Sequence, residues 1–188
     1  GMMRMLPGRT VIVPGDAEEA RKAVVAAATT DGPVYIRFSR AATPIFTTSE
    51  TSFQIGKALQ LWKSDAPKVA ILSTGSLSYA ALTAAQALFS EGIGSIVVHV
   101  PTVKPLDEEA VLEAVREVDC VVTVEEHQAA GGFGSAVAEF LSQHHPIPMR
   151  LLGVADTFGQ SGESDELLKH YGLDAFHIEE AVRTLVRV

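Results

Sequence analysis

The feature that most constrains this chain is a regular alternation of short apolar runs with longer segments rich in alanine and leucine. Lys68-Val-Ala-Ile-Leu72, Ile96-Val-Val-His-Val100, Cys120-Val-Val-Thr-Val124 and Met149-Arg-Leu-Leu-Gly153 read as strands, with Ile55 to Trp62 as a further candidate. Helical segments over 78–89, 107–118 and 135–142 separate the later strands, and two more, near 163–171 and 178–185, close the chain. Several of these runs are apolar almost throughout instead of alternating with polar residues, so their strands are hidden on both faces. Strands of that kind, spaced by helices, give a parallel sheet sandwiched between helical layers. The predicted fold class is therefore α/β, three-layer, with a mainly parallel five-stranded sheet.

A strand–helix–strand fragment precedes that unit. Thr10-Val-Ile-Val-Pro14 reads as a strand, and Asp16 is placed to cap a helix over 17–28. Asp31-Gly32-Pro33 stops the helix, and Val34-Tyr-Ile-Arg-Phe38 reads as the next strand. Three elements are too few for an independent sheet, and no earlier strand stands in front of them. The expectation is the tail of a truncated domain whose strands need a partner chain or a rearranged packing. Gly1, ahead of Met2, reads as a cloning remnant. The Thr- and Ser-rich stretch Ala41 to Ser52 reads as a linker. We therefore divide the chain into 1–46, the fragment with its linker, and 47–188, a complete α/β domain.

Charge and cysteine usage narrow the function. With 15 Lys and Arg against 23 Asp and Glu, the net charge is −8 and there is no basic stripe, which argues against nucleic acid and anionic membrane as partners. No apolar run reaches membrane-spanning length, and the N-terminus lacks a signal-peptide core. The single cysteine, Cys120, sits in an apolar strand, so it reads as buried packing and fits a reducing compartment.

Few residues advertise chemistry. Gly131-Gly-Phe-Gly134 opens a helix after a strand, as phosphate-binding turns do, yet Val137 stands where a dinucleotide fingerprint needs glycine, and close helix packing explains the glycines equally well. Gly159-Gln-Ser-Gly162 stops short of a nucleophile elbow, because Glu163 takes the last glycine position. Glu125-Glu126-His127 lies at a strand's C-terminal end, where open α/β sheets bind ligands, and reads either as an acid–base group or as a polar interface. His144-His145 has no third ligand at metal-binding spacing, and His99, His170 and His177 read as isolated packed or exposed residues. Arg37 and Arg40 flank a strand end, where a guanidinium grips either a phosphate or a neighbouring carboxylate.

The ordered set of these segments resembles the C-terminal section of the transketolase family. Met3 to Asp16 and Gly32 to Arg40 resemble the end of that family's pyrimidine-binding domain, and Phe53-Gln-Ile-Gly-Lys-Ala58 resembles the entry to its C-terminal domain. Pro101 to Asp107, Val124-Glu-Glu-His127 with Gly131 to Gly134, and Asp156 to Gly162 with Tyr171-Gly-Leu173 resemble the rest. Deoxyxylulose phosphate synthases and the β chains of 2-oxo acid dehydrogenases share much of this order, and a stand-alone binding module on the same fold is a further reading. The resemblance implies thiamine diphosphate and magnesium in the complete enzyme, with none held by this chain alone. It also implies transfer of a two-carbon ketol unit between sugar phosphates, a homodimer or a separate N-terminal subunit as partner, and a cytoplasmic location. Its cofactor and catalytic motifs are absent here, so no catalytic residue is assigned. One position carries over: Arg40 matches the family's substrate-phosphate arginine. The C-terminal domain itself would serve dimer contacts and architecture.

Overall fold

The computed structural model describes residues 1–186. Five strands form the larger sheet: β3 (Leu59–Lys63), β4 (Val69–Ser73), β5 (Ser95–His99), β7 (Cys120–Gln128) and β8 (Met149–Val154), in the order β3-β5-β4-β7-β8. All neighbouring pairs are parallel except β3, which runs antiparallel along β5 at the edge. Helices α3 (Leu77–Ser90), α4 (Glu108–Val115), α5 (Phe133–His144), α6 (Ser164–His170) and α7 (Ala175–Val186) follow strands or close the chain.

The three layers come directly from the apolar runs. Successive side chains of a strand point to opposite faces. On β4, Ala70 and Leu72 join one core with Val111 and Val115 of α4 and Val137 and Leu141 of α5. Val69 and Ile71 join the other, with Leu77, Ala81 and Leu88 of α3 and Ile178 and Val182 of α7. Burying every residue of β4 and β5 is what made these runs continuous instead of alternating.

The N-terminal elements are α1 (Met2–Met5), β1 (Thr10–Ile12), α2 (Ala17–Ala28) and β2 (Val34–Ile36). Their strands do not stand alone. The segment 101–107 supplies β6 (Thr102–Lys104), and a second sheet forms in the order β2-β1-β6. β1 runs parallel to β2 and antiparallel to β6, with Val11 opposite Lys104 and Ile12 opposite Thr102. Three residues between Pro101 and Pro105 carry no periodicity to read, which is why this strand was hidden. Val11 and Val103 sink into the same core as α4 and α5, so the small sheet is packed onto the large one.

Two other boundaries differ from expectation. The strand expected from Ile55 starts at Leu59, because Lys57 N–H turns back to the Gln54 carbonyl ahead of it. β7 runs past Val124 to Gln128, carrying Glu125, Glu126 and His127 within the strand.

Candidate functional site

The end of β2, the segment after it, the N-terminus of α3 and the C-terminal half of β7 converge at one seam between the two sheets. Glu126 is its crossing point. One oxygen lies 3.2 Å from Arg37 Nη2, and the other accepts from Ser76 Oγ at 3.4 Å. Arg37 therefore satisfies a carboxylate of its own chain, as a strand-end arginine does at a structural seam. A cavity of about 180 Å³ opens on one side, lined by Tyr35, Arg37, Thr74, Glu125, His127 and Phe133 among others. A second groove, of about 160 Å³, lies on the other side of Glu126 between Ser39–Pro44 and Ser76–Ala80, closed by Ser164 and Leu168.

Glu125 faces the core from the same strand and is nearly fully buried. Its two oxygens accept the N–H groups of Phe133 at 2.7 Å and Gly134 at 2.8 Å, the first free donors of α5. Burial pushes this carboxyl above the ordinary glutamate range, and the two N–H bonds with the nearby His127 pull it only partly back. The Gly131–Gly134 turn thus spends its phosphate-type donors on an internal carboxylate. A Cβ on Gly132 would overlap the Glu125 carboxylate, so the glycine makes room for this cap. Here the packing reading of the turn prevails over nucleotide binding.

His127 donates from Nδ1 to the Gln128 carbonyl at 2.8 Å, and its Nε2 accepts from the Gly1 amine at 3.0 Å at the wall of the first cavity. Across the strand end, the Gln128 amide holds the loop 155–163, donating to the Thr157 carbonyl and accepting from Asp156 N–H. Tyr171 Oη accepts from Gln160 N–H and donates to the Phe158 carbonyl, which leaves the Phe158 ring fully exposed. The near-motif Gly159–Gly162 lies on this loop, off any strand-to-helix elbow.

Arg40 is exposed, and among the described residues its guanidinium makes no hydrogen bond or ion pair. Its chain neighbours Ser39 and Ala41 line the second groove and a further one running along Pro14 to Ala20. Cys120 is buried and its thiol is pushed up to about 11, chiefly by burial, so it is inert packing. Among the described residues, no group of three or more His, Cys, Asp or Glu side chains is placed to hold a metal. No helix among them is long and apolar enough to cross a membrane.

His99 is not an isolated packed residue. Its Nε2 meets Glu19 Oε2 of α2 at 2.7 Å, and its Nδ1 meets Ser78 Oγ of α3 at 2.6 Å. Ser78 Oγ in turn accepts from Ser73 Oγ at 2.9 Å. This serine–imidazole–carboxylate chain has the connectivity of a nucleophilic triad, but Ser78 and His99 are completely buried. It holds the small unit to the large one. Glu19 and His99 lie 80 residues apart, and no local signal joins them.

Residues 56–178 match the family model for the transketolase C-terminal domain. The chain is 42% identical over 180 residues to a 6-deoxy-6-sulfo-D-fructose transketolase subunit of Clostridium sp., covering 96% of this chain and 55% of that protein. It is 37% identical over 174 residues to an apulose-4-phosphate transketolase subunit of Phocaeicola vulgatus, covering 92% of this chain and 55% of that protein. A solved split-gene transketolase, described as an inactive beta4 tetramer, superposes with a TM-score of 0.91 at 41% identity, over 99% of this chain and 60% of its own. The chain spans about half the length of the curated relatives it matches. The doubly covered parallel sheet and the match across its strands lead to one assignment: the chain belongs to the transketolase family and carries that family's C-terminal domain.

Proposed function

We propose that this chain is the C-terminal part of a thiamine-diphosphate enzyme that moves a two-carbon ketol unit between sugar phosphates. On this reading it is inactive alone, and it acts in the cytoplasm with an N-terminal transketolase subunit and a second copy of itself. Residues 1–46 are the end of a pyrimidine-binding domain with its linker, and 47–188 are the C-terminal domain. The observation that carries the reading is the match to relatives named as transketolase subunits over nearly the whole of this chain and about half of theirs.

On this reading the thiamine diphosphate and its magnesium are held by the partner subunit. What this chain supplies is architecture and one substrate contact. Arg40, exposed and without a protein partner among the described residues, holds its planar pair of donors ready for the phosphate of a sugar.

The test is a transketolase assay with thiamine diphosphate and magnesium on the chain alone and after addition of an N-terminal transketolase subunit. We expect no turnover from the chain alone and turnover in the range of about 1–10³ per second once the subunit is added. Turnover in that range by the chain alone would overturn the proposal.

A further inference from the structure

We infer that the polar face of α2, formed by Asp16, Glu19 and Lys22, is a latch that positions Arg40, with Asp16 as its main positioning residue. The inference rests on the reading of Arg40 as a contact to sugar phosphate. Among the described residues nothing holds its side chain, so where the guanidinium sits is decided by how the backbone of residues 38–45 is tethered.

The upstream tether is strong. Arg37 N–H bonds to the Ile12 carbonyl at 2.9 Å, and the Arg37 side chain is paired with Glu126. The downstream tether is Asp16. Its Oδ2 accepts the N–H groups of Phe46 at 2.8 Å and Thr47 at 2.6 Å, while Oδ1 accepts Thr47 Oγ1 at 2.8 Å and Glu19 N–H at 2.9 Å. One buried carboxylate thus accepts four donors, one that caps α2 and three from the linker.

The rest of the helix face anchors that grip. Asp16, Glu19 and Lys22 recur every three residues, so they share one side of α2. Glu19 Oε2 accepts Gly15 N–H at 2.6 Å and meets His99 of β5 at 2.7 Å, which fixes the cap to the large sheet. The Phe46 ring stands edge-on to His99, centroids 5.4 Å apart, and a Cβ on Gly15 would overlap that ring. Lys22 Nζ donates to the Thr48 and Thr51 carbonyls, closing the turn beyond.

A segment held at both ends carries Arg40 on a short arc. If Asp16 lets go, the same segment becomes a long tail swinging from Arg37. Ordering such a tail on a substrate costs conformational entropy, and that cost appears as weaker binding of the group Arg40 recognises. Chemistry at the reacting carbons is untouched.

The experiment uses this chain assembled with an N-terminal transketolase subunit, with xylulose phosphate and unphosphorylated erythrulose as alternative donors. Asp16→Asn raises KM for xylulose phosphate about tenfold, keeps kcat within about twofold, and leaves KM for erythrulose unchanged. Arg40→Ala raises KM for xylulose phosphate at least as much, and the double variant is no worse than Arg40→Ala, because Asp16 acts through Arg40. Lys22→Met, which leaves both carboxylates in place, shifts KM the same way by a smaller factor, so the latch stays testable if Asp16→Asn folds poorly. On the chain alone, trypsin cuts after Arg40 faster in both latch variants. If Arg40→Ala leaves KM for xylulose phosphate unchanged, the reading of Arg40 fails. If Arg40→Ala raises it while Asp16→Asn and Lys22→Met do not, or if the latch variants raise KM for both donors alike, the latch is overturned and Arg40 stands.

Discussion

Asp16 and Glu125 are both buried carboxylates at helix N-termini, yet they respond to their surroundings in opposite directions. Burial raises Asp16, but the N–H groups of Glu19, Thr47 and Phe46 and the Thr47 hydroxyl outweigh it and hold the carboxyl below the ordinary aspartate range. Glu125 has two N–H donors against deeper desolvation, and burial wins. The signs of the pH dependence follow. The native state holds the Asp16 proton more loosely than the unfolded chain does. Its stabilisation is therefore present above the ordinary aspartate value of about 3.9 and lost as pH falls through the lowered native value. Glu125 is the reverse: its contribution is present below the ordinary glutamate value of about 4.3 and lost as pH rises through the raised native value. Urea unfolding across pH checks this. The stability gap between wild type and Asp16→Asn, about 2 kcal/mol at neutral pH, should close on acidification. The gap between wild type and Glu125→Gln should narrow as pH rises above the ordinary glutamate value. Two gaps that move together would show that one carboxylate has been read with the wrong sign.

At the scale of elements, what the sequence made legible was periodicity, and what it hid was pairing. β4, β5 and β7 could be read because each buries both faces, and the helices between them because their apolar residues repeat with a helical period. β6 could not, since three residues between prolines show neither pattern, and its partner β1 lies some ninety residues upstream. The Glu19–His99–Ser78 chain was invisible for the same reason: its members come from three elements that meet only in the folded state. Arg40, by contrast, was found by likeness to a family, and its geometry adds only that it is exposed and, among the described residues, free. The glycine-rich turn was visible but ambiguous, and the structure resolves it through α5. A Cβ on Gly134 would lie 2.5 Å from Thr123 Oγ1 and 3.0 Å from Leu151, so the glycine sets how closely α5 approaches β7 and β8. At Gly131, where φ is +73°, a Cβ would meet nothing within 4 Å, and only the backbone conformation resists substitution. Gly134→Ala should therefore cost about 2–3 kcal/mol by overpacking, against about 1 kcal/mol for Gly131→Ala. Thermal unfolding of the two variants gives the order. A larger loss for Gly131→Ala would mean that the turn conformation, and not helix approach, governs this region.

For the whole molecule the decisive question is whether the two sheets behave as one body. Val11 and Val103 of the small sheet share a core with α4 and α5, and Lys104 Nζ donates to the Arg4 and Leu6 carbonyls. Apolar continuity of that kind favours a single cooperative transition. The α2 side of the junction is different, because it is joined mainly through polar groups. His99 is the keystone there: completely buried, it contacts Glu19, Ser78 and the Phe46 ring at once. Replacing it with leucine keeps an apolar group of similar size but leaves the Glu19 carboxylate buried with Gly15 N–H as its remaining donor at this seam. Stranding a buried charge in this way costs about 3 kcal/mol. The loss should be local, falling on the junction before it reaches the large sheet. Trp62, the single tryptophan, sits on β3 at the far edge of that sheet and reports it by fluorescence. Amide exchange of β1, α2 and β2 reports the small unit. In the wild type both probes should follow one urea transition. In His99→Leu the amides of α2 and β2 should open at lower urea than the Trp62 transition, with β1 following them less because its apolar contacts survive. If the two probes stay coincident in the variant, the polar junction adds stability without defining a separable unit. The Asp16–Glu19 face would then have to move with the whole fold, with no independent hold on the segment that carries Arg40.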